Sequence, residues 1–224
     1  ALPISRPNVP IKATGADYSG ALTAVSALVV DNDSNTVLFK KNIFEPRAIA
    51  SITKLMSALV LADQKINWSR SVTIIPSDLD SSSHQVKVGE IYTMEQLWNL
   101  GLINSANGAI KALARNSGLT SSDFVLAMNA KAKNLHLDTA RFVEPTGLDS
   151  KNMMSALDTA RLLGAALKVE KISKTLSVGQ YSLPGLVSKT PRKIFNTNWL
   201  LTDWIPNSFA NDAVVGKTGY TVDS

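Results

Sequence analysis

The chain has 224 residues, of which 45% are hydrophobic and 18% charged, a balance that suits one large or two small globular cores. Its 23 Lys and Arg face 18 Asp and Glu. This mild, dispersed positive charge fits an anionic wall or membrane face and argues against nucleic acid as a partner. With no cysteine and only His84 and His136, far apart, disulfides, cysteine nucleophiles and thiolate zinc are excluded, and a zinc hydrolase or Ser-His-Asp triad lacks its parts.

The first twenty residues carry neither a charged leader nor an apolar core and read as an extended tail. No apolar run reaches the roughly 18 residues of a membrane span. "ALVVDNDSNTVLFKKN" (27–42) reads as a β-hairpin around an Asp/Asn/Ser turn. A helix from Ser51 to about Asp63 follows. "SVTIIPSDL" gives a short strand and turn, and "HQVKVGEIY" alternates like a strand bent at Gly89. Thr93 and Gln96 form a capping box for "MEQLWNLGLI". "NGAIKALARNSG" is a short helix stopped at Gly118, and another runs from about Thr120 to Leu135. Pro145 and Gly147 break the helical stretch. Ser155 and Asp158 cap "ALDTARLLGAALK", a short helix and a Pro184–Gly185 turn follow, and "AVVGKTGYT" reads as a terminal strand. The densest basic cluster, "KTPRK" (189–193), reads as a solvated loop. This order predicts an α/β (α+β) fold: an antiparallel sheet flanked by helices, formed by 21–63 with 151–224, and a helical subdomain inserted over 64–150.

One residue resists a folding explanation. In "AIASITKLMSALVLAD" (48–63), Ile52, Leu55, Met56, Leu59 and Val60 form an apolar stripe, and Ala58, Leu61 and Ala62 make the other side apolar as well. Lys54 therefore loses hydration and must find a partner or release its proton. If Ser51 is the N-cap, Lys54 falls at N3, where the positive helix end favours Glu or Gln. A chemical use resolves the conflict. Residues three apart share a helix face, so Ser51 and Lys54 can meet, and burial lowers the lysine pKa as a base near neutral pH requires. Serine needs such a base to become a nucleophile.

Two further motifs follow in order, Ser105-Ala106-Asn107 at a helix junction and Lys217-Thr218-Gly219 on the terminal strand. S-x-x-K, S-x-N and K-T-G in this order are the three-part signature of penicillin-binding proteins and class A β-lactamases. A second S-x-N, Ser150-Lys151-Asn152, lies in a polar turn and is read as chance. "GKT" at 216–218 lacks the earlier glycine of a phosphate loop, the position being Asn211.

With "IASITKLM", "FVEPTGLDS" and "GKTGYT", the chain from about Ala21 onward resembles the low-molecular-mass penicillin-binding proteins, the serine D-alanyl-D-alanine carboxypeptidases and endopeptidases of bacterial cell-wall metabolism. The resemblance implies a β-lactamase/transpeptidase-like fold. It implies Ser51 as nucleophile, Lys54 as base and Ser105 as proton relay. It also assigns Asn107, Lys217, Thr218, Gly219 and Tyr220 to substrate binding, with the N–H groups of Ser51 and Tyr220 as the oxyanion hole. The implied partners are peptidoglycan stem peptides and β-lactam antibiotics, without metal or cofactor. The implied location is extracytoplasmic, after removal of a signal peptide, with membrane association only through residues outside this chain. Further strands and a C-terminal helix are expected beyond "GYTVDS" to complete the sheet.

Two other readings compete. A class A β-lactamase needs a glutamate within E-P-x-L-N to activate water. Here Glu144-Pro145-Thr146-Gly147-Leu148-Asp149 is one residue longer and ends without the asparagine, and Ala106 replaces the Asp of S-D-N. A catalytically silent module that only binds wall peptides or β-lactams has no need of a buried Ser–Lys pair.

Overall fold

The computed structural model describes residue 10, residues 20–184, 191–202 and 214–220. The hairpin forms as expected: β1 (Ala27–Val30) pairs antiparallel with β2 (Val37–Lys41), with an irregularity between Val29 and Val30. A two-residue strand β3 (Arg47–Ala48) then leads into a 3₁₀ turn (Ala50–Ile52) and α1 (Thr53–Ala62). Next come β4 (Ser71–Thr73), β5 (Ile91–Thr93), α2 (Met94–Ile103), α3 (Asn107–Arg115) and α4 (Ser121–Asn134). The remainder holds β6 (Met153–Met154), α5 (Ala156–Leu167), α6 (Glu170–Leu176), β7 (Gln180–Leu183) and β8 (Arg192–Phe195). The described strands pair antiparallel as β1–β2, β3–β6, β4–β5 and β7–β8.

The centre of the molecule is α1, whose residues Thr53 through Leu61 are all buried. Helices α2, α3, α4 and α5 pack around it, so Leu55, Met56, Val60 and Leu61 are covered from every side, each burial being worth about 2 kcal/mol. The predicted caps hold, Thr93 accepting from the Gln96 N–H and Ser155 from the Asp158 N–H, and the structure adds a third, Thr120 accepting from the Asp123 N–H. Helix α6 is tied to α2 by the Trp98 indole N–H, which donates to Thr175 Oγ1 at 2.8 Å. Beside it, the Lys171 ammonium lies 4.2 Å above the Trp68 ring.

Four expectations need correction. Ser51 is not the N-cap of α1. It sits inside the 3₁₀ turn and Ile52 is the cap, so Lys54 is the second helical residue rather than the third. Stretch 64–150 is mainly helical but also carries the β4–β5 ribbon. Only Ile91–Thr93 of "HQVKVGEIY" joins that ribbon, and His84 to Glu90 form turns with Gly89 at φ 85°. "AVVGKTGYT" is not a strand over 214–220, because no described neighbour pairs with it. Ala213, Thr221, Gly185, Lys189 and Thr190 lie outside the described residues, and Pro191 to Lys193 of the basic cluster are exposed.

Candidate active site

The approach to Ser51 is held by its neighbours in sequence. Strand β3 pairs with β6, placing Arg47 opposite Met154 and Ala48 opposite Met153, and the Ile49 N–H donates to the Asn152 carbonyl at 3.1 Å. Ala50 then adopts φ 46°, a left-handed conformation that costs an alanine of order 1 kcal/mol. This kink starts the 3₁₀ turn and presents Ser51, which is only half-buried, at the base of α1.

Lys54 is fully buried, and its Nζ has three oxygen neighbours. Ser51 Oγ and Asn107 Oδ1 lie at 2.6 Å each, and the Thr146 carbonyl oxygen at 2.8 Å. Burial, and then the positive charge of Lys217, push its pKa well below the usual lysine value, while Glu144 and Asp80 pull the other way. A neutral amine has two N–H donors and one lone pair. Two of its neighbours, the Asn107 and Thr146 oxygens, can only accept. They take both protons, and the lone pair is left facing the Ser51 hydroxyl. That is the geometry of a general base on a nucleophile.

The second motif occupies the junction of α2 and α3. Ser105 adopts φ 58°, and Lys217 Nζ donates to its hydroxyl at 2.9 Å. Burial pushes the Lys217 pKa down to about 7. Thr218 Oγ1 donates to Thr197 Oγ1 at 2.6 Å, and the Thr197 N–H donates to the Ile103 carbonyl. Residues 196–198 thus connect the K-T-G segment to the end of α2. Gly219 lies against the lead-in to Ser51: a Cβ there would come within 2.9 Å of the Ile49 carbonyl oxygen and 3.2 Å of Ala50 Cβ. Tyr220, 88% exposed, follows Gly219 directly in the chain.

All eight residues singled out in the sequence therefore belong to one region. Ser51, Lys54 and Asn107 share hydrogen bonds, Ser105 and Lys217 form a second pair, and Thr218 to Tyr220 flank them. His84 and His136 are both exposed. Among the described residues no group of His, Asp and Glu could hold a metal ion.

The segment 144–152 does more than turn the chain. Glu144 Oε1 accepts from the Gly147 N–H at 2.5 Å and Asn152 Nδ2 at 2.6 Å, while Oε2 accepts from the Thr146 N–H at 2.7 Å and its hydroxyl at 2.6 Å. Asn152, fully buried, also accepts from the Val143 N–H at 2.7 Å. The Ser57 hydroxyl donates to the Pro145 carbonyl at 2.6 Å. Gly147, at φ 90°, passes so close to α1 that a Cβ would lie 1.8 Å from the Ala50 carbonyl oxygen. This loop is what brings the Thr146 carbonyl to Lys54. Asn152, which belongs to the second S-x-N, braces Glu144, while the asparagine on Lys54 is Asn107. Only the acidic residue before Pro145 and the glycine after it hint at this in sequence.

A family profile for D-alanyl-D-alanine carboxypeptidases matches residues 12–224. The chain is 33% identical over 222 residues to a D-alanyl-D-alanine endopeptidase of Pseudomonas aeruginosa, covering 95% of this chain and 68% of that protein. It is 34% identical over 207 residues to a D-alanyl-D-alanine carboxypeptidase of Bacillus subtilis, covering 88% of this chain and 51% of that protein. The chain thus spans from about half to about two thirds of these relatives' lengths. The crystal structure of a D-alanyl-D-alanine carboxypeptidase from Mycobacterium tuberculosis superposes with a TM-score of 0.80 at 27% identity, over 96% of this chain and 79% of that one. With the three motifs gathered at one site and this agreement across nearly the whole chain, the protein belongs to the serine D-alanyl-D-alanine carboxypeptidase family.

Proposed function

We propose that the protein is a serine D,D-peptidase that acts on D-Ala-D-Ala-type peptides of peptidoglycan on the outer side of the cytoplasmic membrane. The observation that carries this reading is the buried Lys54 Nζ, 2.6 Å from Ser51 Oγ and 2.6 and 2.8 Å from the Asn107 and Thr146 oxygens, which can only accept.

In this reading Lys54 takes the Ser51 proton as Oγ attacks the carbonyl carbon of the penultimate D-alanine. The backbone N–H groups of Ser51 and Tyr220 hold the oxyanion. Collapse of the tetrahedral intermediate breaks the peptide C–N bond and leaves an ester on Ser51. The departing amine receives the proton that Lys54 took, relayed through the Ser105 hydroxyl, which Lys217 Nζ touches at 2.9 Å, and Lys54 is neutral again. Lys54 then takes a proton from the water that attacks the ester and returns it to Ser51 Oγ as the carboxylic acid leaves. The Lys217 charge and the Thr218 hydroxyl receive the terminal carboxylate, Asn107 holds the substrate amide, and Gly219 lets the substrate backbone lie close.

The same chemistry makes a β-lactam a substrate for acylation but a poor one for release. Glu144 is the glutamate of the segment that compares with the E-P-x-L-N of class A β-lactamases. Its four lone-pair directions already meet four donors, which leaves none for a hydrolytic water. This supports a peptidase with a long-lived penicilloyl adduct over a β-lactamase. The test is to incubate the protein with a pentapeptide ending in D-Ala-D-Ala and with a D-alanyl cross-linked dimer, and to follow both by mass spectrometry. Release of D-alanine, or cleavage of the cross-link, supports the reading. Intact peptides together with catalytic turnover of penicillin would overturn it.

A further inference from the structure

Asn107 is positioned by a chain of polar groups that the three motifs do not include. Its Nδ2 donates to Ser82 Oγ at 2.8 Å, while its Oδ1 faces Lys54 at 2.6 Å. The Ser82 hydroxyl in turn donates to Asp80 Oδ1 at 2.5 Å, and the Ser82 N–H donates to the same oxygen at 2.9 Å. Asp80 Oδ2 accepts from Lys111 Nζ at 2.7 Å. Burial acts to raise the Asp80 pKa, but the hydrogen bonds from Lys111 and Ser82 outweigh it and bring it to about 2. At neutral pH Asp80 is therefore a carboxylate with no proton to give.

That end of the chain sets the direction of every bond in it. Asp80 can only accept, so the single hydroxyl proton of Ser82 goes to Asp80. Ser82 then has only lone pairs to offer Asn107, and the amide must turn its NH2 towards Ser82. Its carbonyl oxygen is left facing Lys54. The opposite orientation sets Oδ1 against a hydroxyl that has no proton for it. It also aims the amide N–H at the Lys54 amine, where it would occupy the lone pair meant for Ser51 and silence the base.

We propose that Ser82 and Asp80 form a polarity lock, which fixes the Asn107 amide with its oxygen towards Lys54 and so keeps the Lys54 lone pair free for Ser51. Ser82 and Asp80 are positioning residues that act through Asn107. The kinetic side of this inference rests on the peptidase reading above.

The orientation itself is read without substrate, by nuclear Overhauser effects from the Asn107 side-chain NH2 protons in the full chain. In the unmodified protein they reach the Ser82 β-protons and not the Lys54 ε-protons. In Asp80→Asn the charged Lys111 keeps the one remaining carbonyl oxygen, the NH2 turned to Ser82 can only donate, and with the Ser82 proton freed, effects to the Lys54 ε-protons appear. In the kinetic arm the rate of acylation by benzylpenicillin falls about five- to tenfold in both Ser82→Ala and Asp80→Asn, roughly the worth of one net hydrogen bond. Ser82→Thr, which keeps the hydroxyl, stays within about twofold of the unmodified rate. Asp80→Asn acylating at the unmodified rate with unchanged Overhauser contacts would overturn the lock, and so would contacts between the NH2 protons and Lys54 in the unmodified protein. If the unmodified protein is not acylated at all, the peptidase reading fails, and the Overhauser contacts still decide the orientation.

Discussion

Gly147→Ala changes one hydrogen to a methyl group at the place where the loop 144–148 crosses the start of α1. The added Cβ would lie 1.8 Å from the Ala50 carbonyl oxygen, 2.3 Å from its carbonyl carbon and 2.9 Å from Thr53 Oγ1. Two of these are backbone atoms, so no side-chain rotation relieves the clash, and the loop must withdraw by more than about 1 Å to restore van der Waals separation. The backbone at φ 90° adds strain that an alanine does not tolerate well. Withdrawal on that scale takes the Thr146 carbonyl from 2.8 Å to beyond hydrogen-bond range of Lys54. The lysine then has a proton with no acceptor, and its lone pair is no longer constrained towards Ser51. A misplacement of about 1 Å at a reacting group is worth about 100-fold in rate, and the strain should remove about 2–4 kcal/mol of stability. For a chain of this length that corresponds to a melting temperature lower by about 5–15 °C. Stopped acylation time courses with benzylpenicillin, read by intact mass, measure the first effect, and thermal unfolding followed by circular dichroism measures the second. A variant that melts within about 2 °C of the parent and is acylated within threefold of its rate would refute the role given to the loop.

Glu144→Gln leaves the clamp its shape but replaces one acceptor oxygen with a donor, so two of the four N–H and O–H groups around it lose their partner. At about 1–3 kcal/mol for each unsatisfied buried group, thermal unfolding should show a loss of about 3 kcal/mol or more, together with slower acylation. The kcat/KM for a carboxylate-ended peptide should depend on pH, because Lys54 must be neutral, a state that burial and the Lys217 charge favour by holding its pKa well below the usual lysine value, and Lys217 must be charged. Above about pH 7 it falls as Lys217 loses its charge, and Lys217→Met should abolish the alkaline limb in a pH–rate series. Stability follows the same groups. Both lysines have folded pKa values below the unfolded value of 10.5, so the unfolded state binds more protons between about pH 7 and 10.5. Their contribution therefore makes stability rise with pH across that window. Melting curves at pH 7.5 and 9.5 should show the rise, with a smaller difference in Lys217→Met.

The parts of this account that were legible in the sequence are those with a local signature. Lys54 betrayed itself as a charge in an otherwise apolar helix, and the caps at Thr93 and Ser155 name their partners three residues away. The relation between Ser51 and Lys54 survived the misplaced helix start, because the 3₁₀ turn leads directly into α1 and keeps residues three apart on one side. What was not legible depends on contacts between distant segments. Glu144 and Asn152 are eight residues apart, and they matter because the loop they brace meets Lys54, ninety-two residues away from Thr146. Ser82 and Asp80 sit in the polar run "DLDSSSH", and nothing local distinguishes them from a solvated loop until Asn107 is seen to donate to Ser82. The K-T-G segment read as a strand because its residues suit one. Pairing, which no single segment can declare, decides whether a strand forms.

The central claim is that Ser51 is the nucleophile and Lys54 its base. The direct measurement is the intact mass of the protein, of Ser51→Ala and of Lys54→Met after incubation with benzylpenicillin. The account predicts a stable increase by the mass of one penicillin on the unmodified chain, its absence from Ser51→Ala, and at most a trace on Lys54→Met. An adduct that persists in Ser51→Ala, or that forms at an undiminished rate in Lys54→Met, would contradict it.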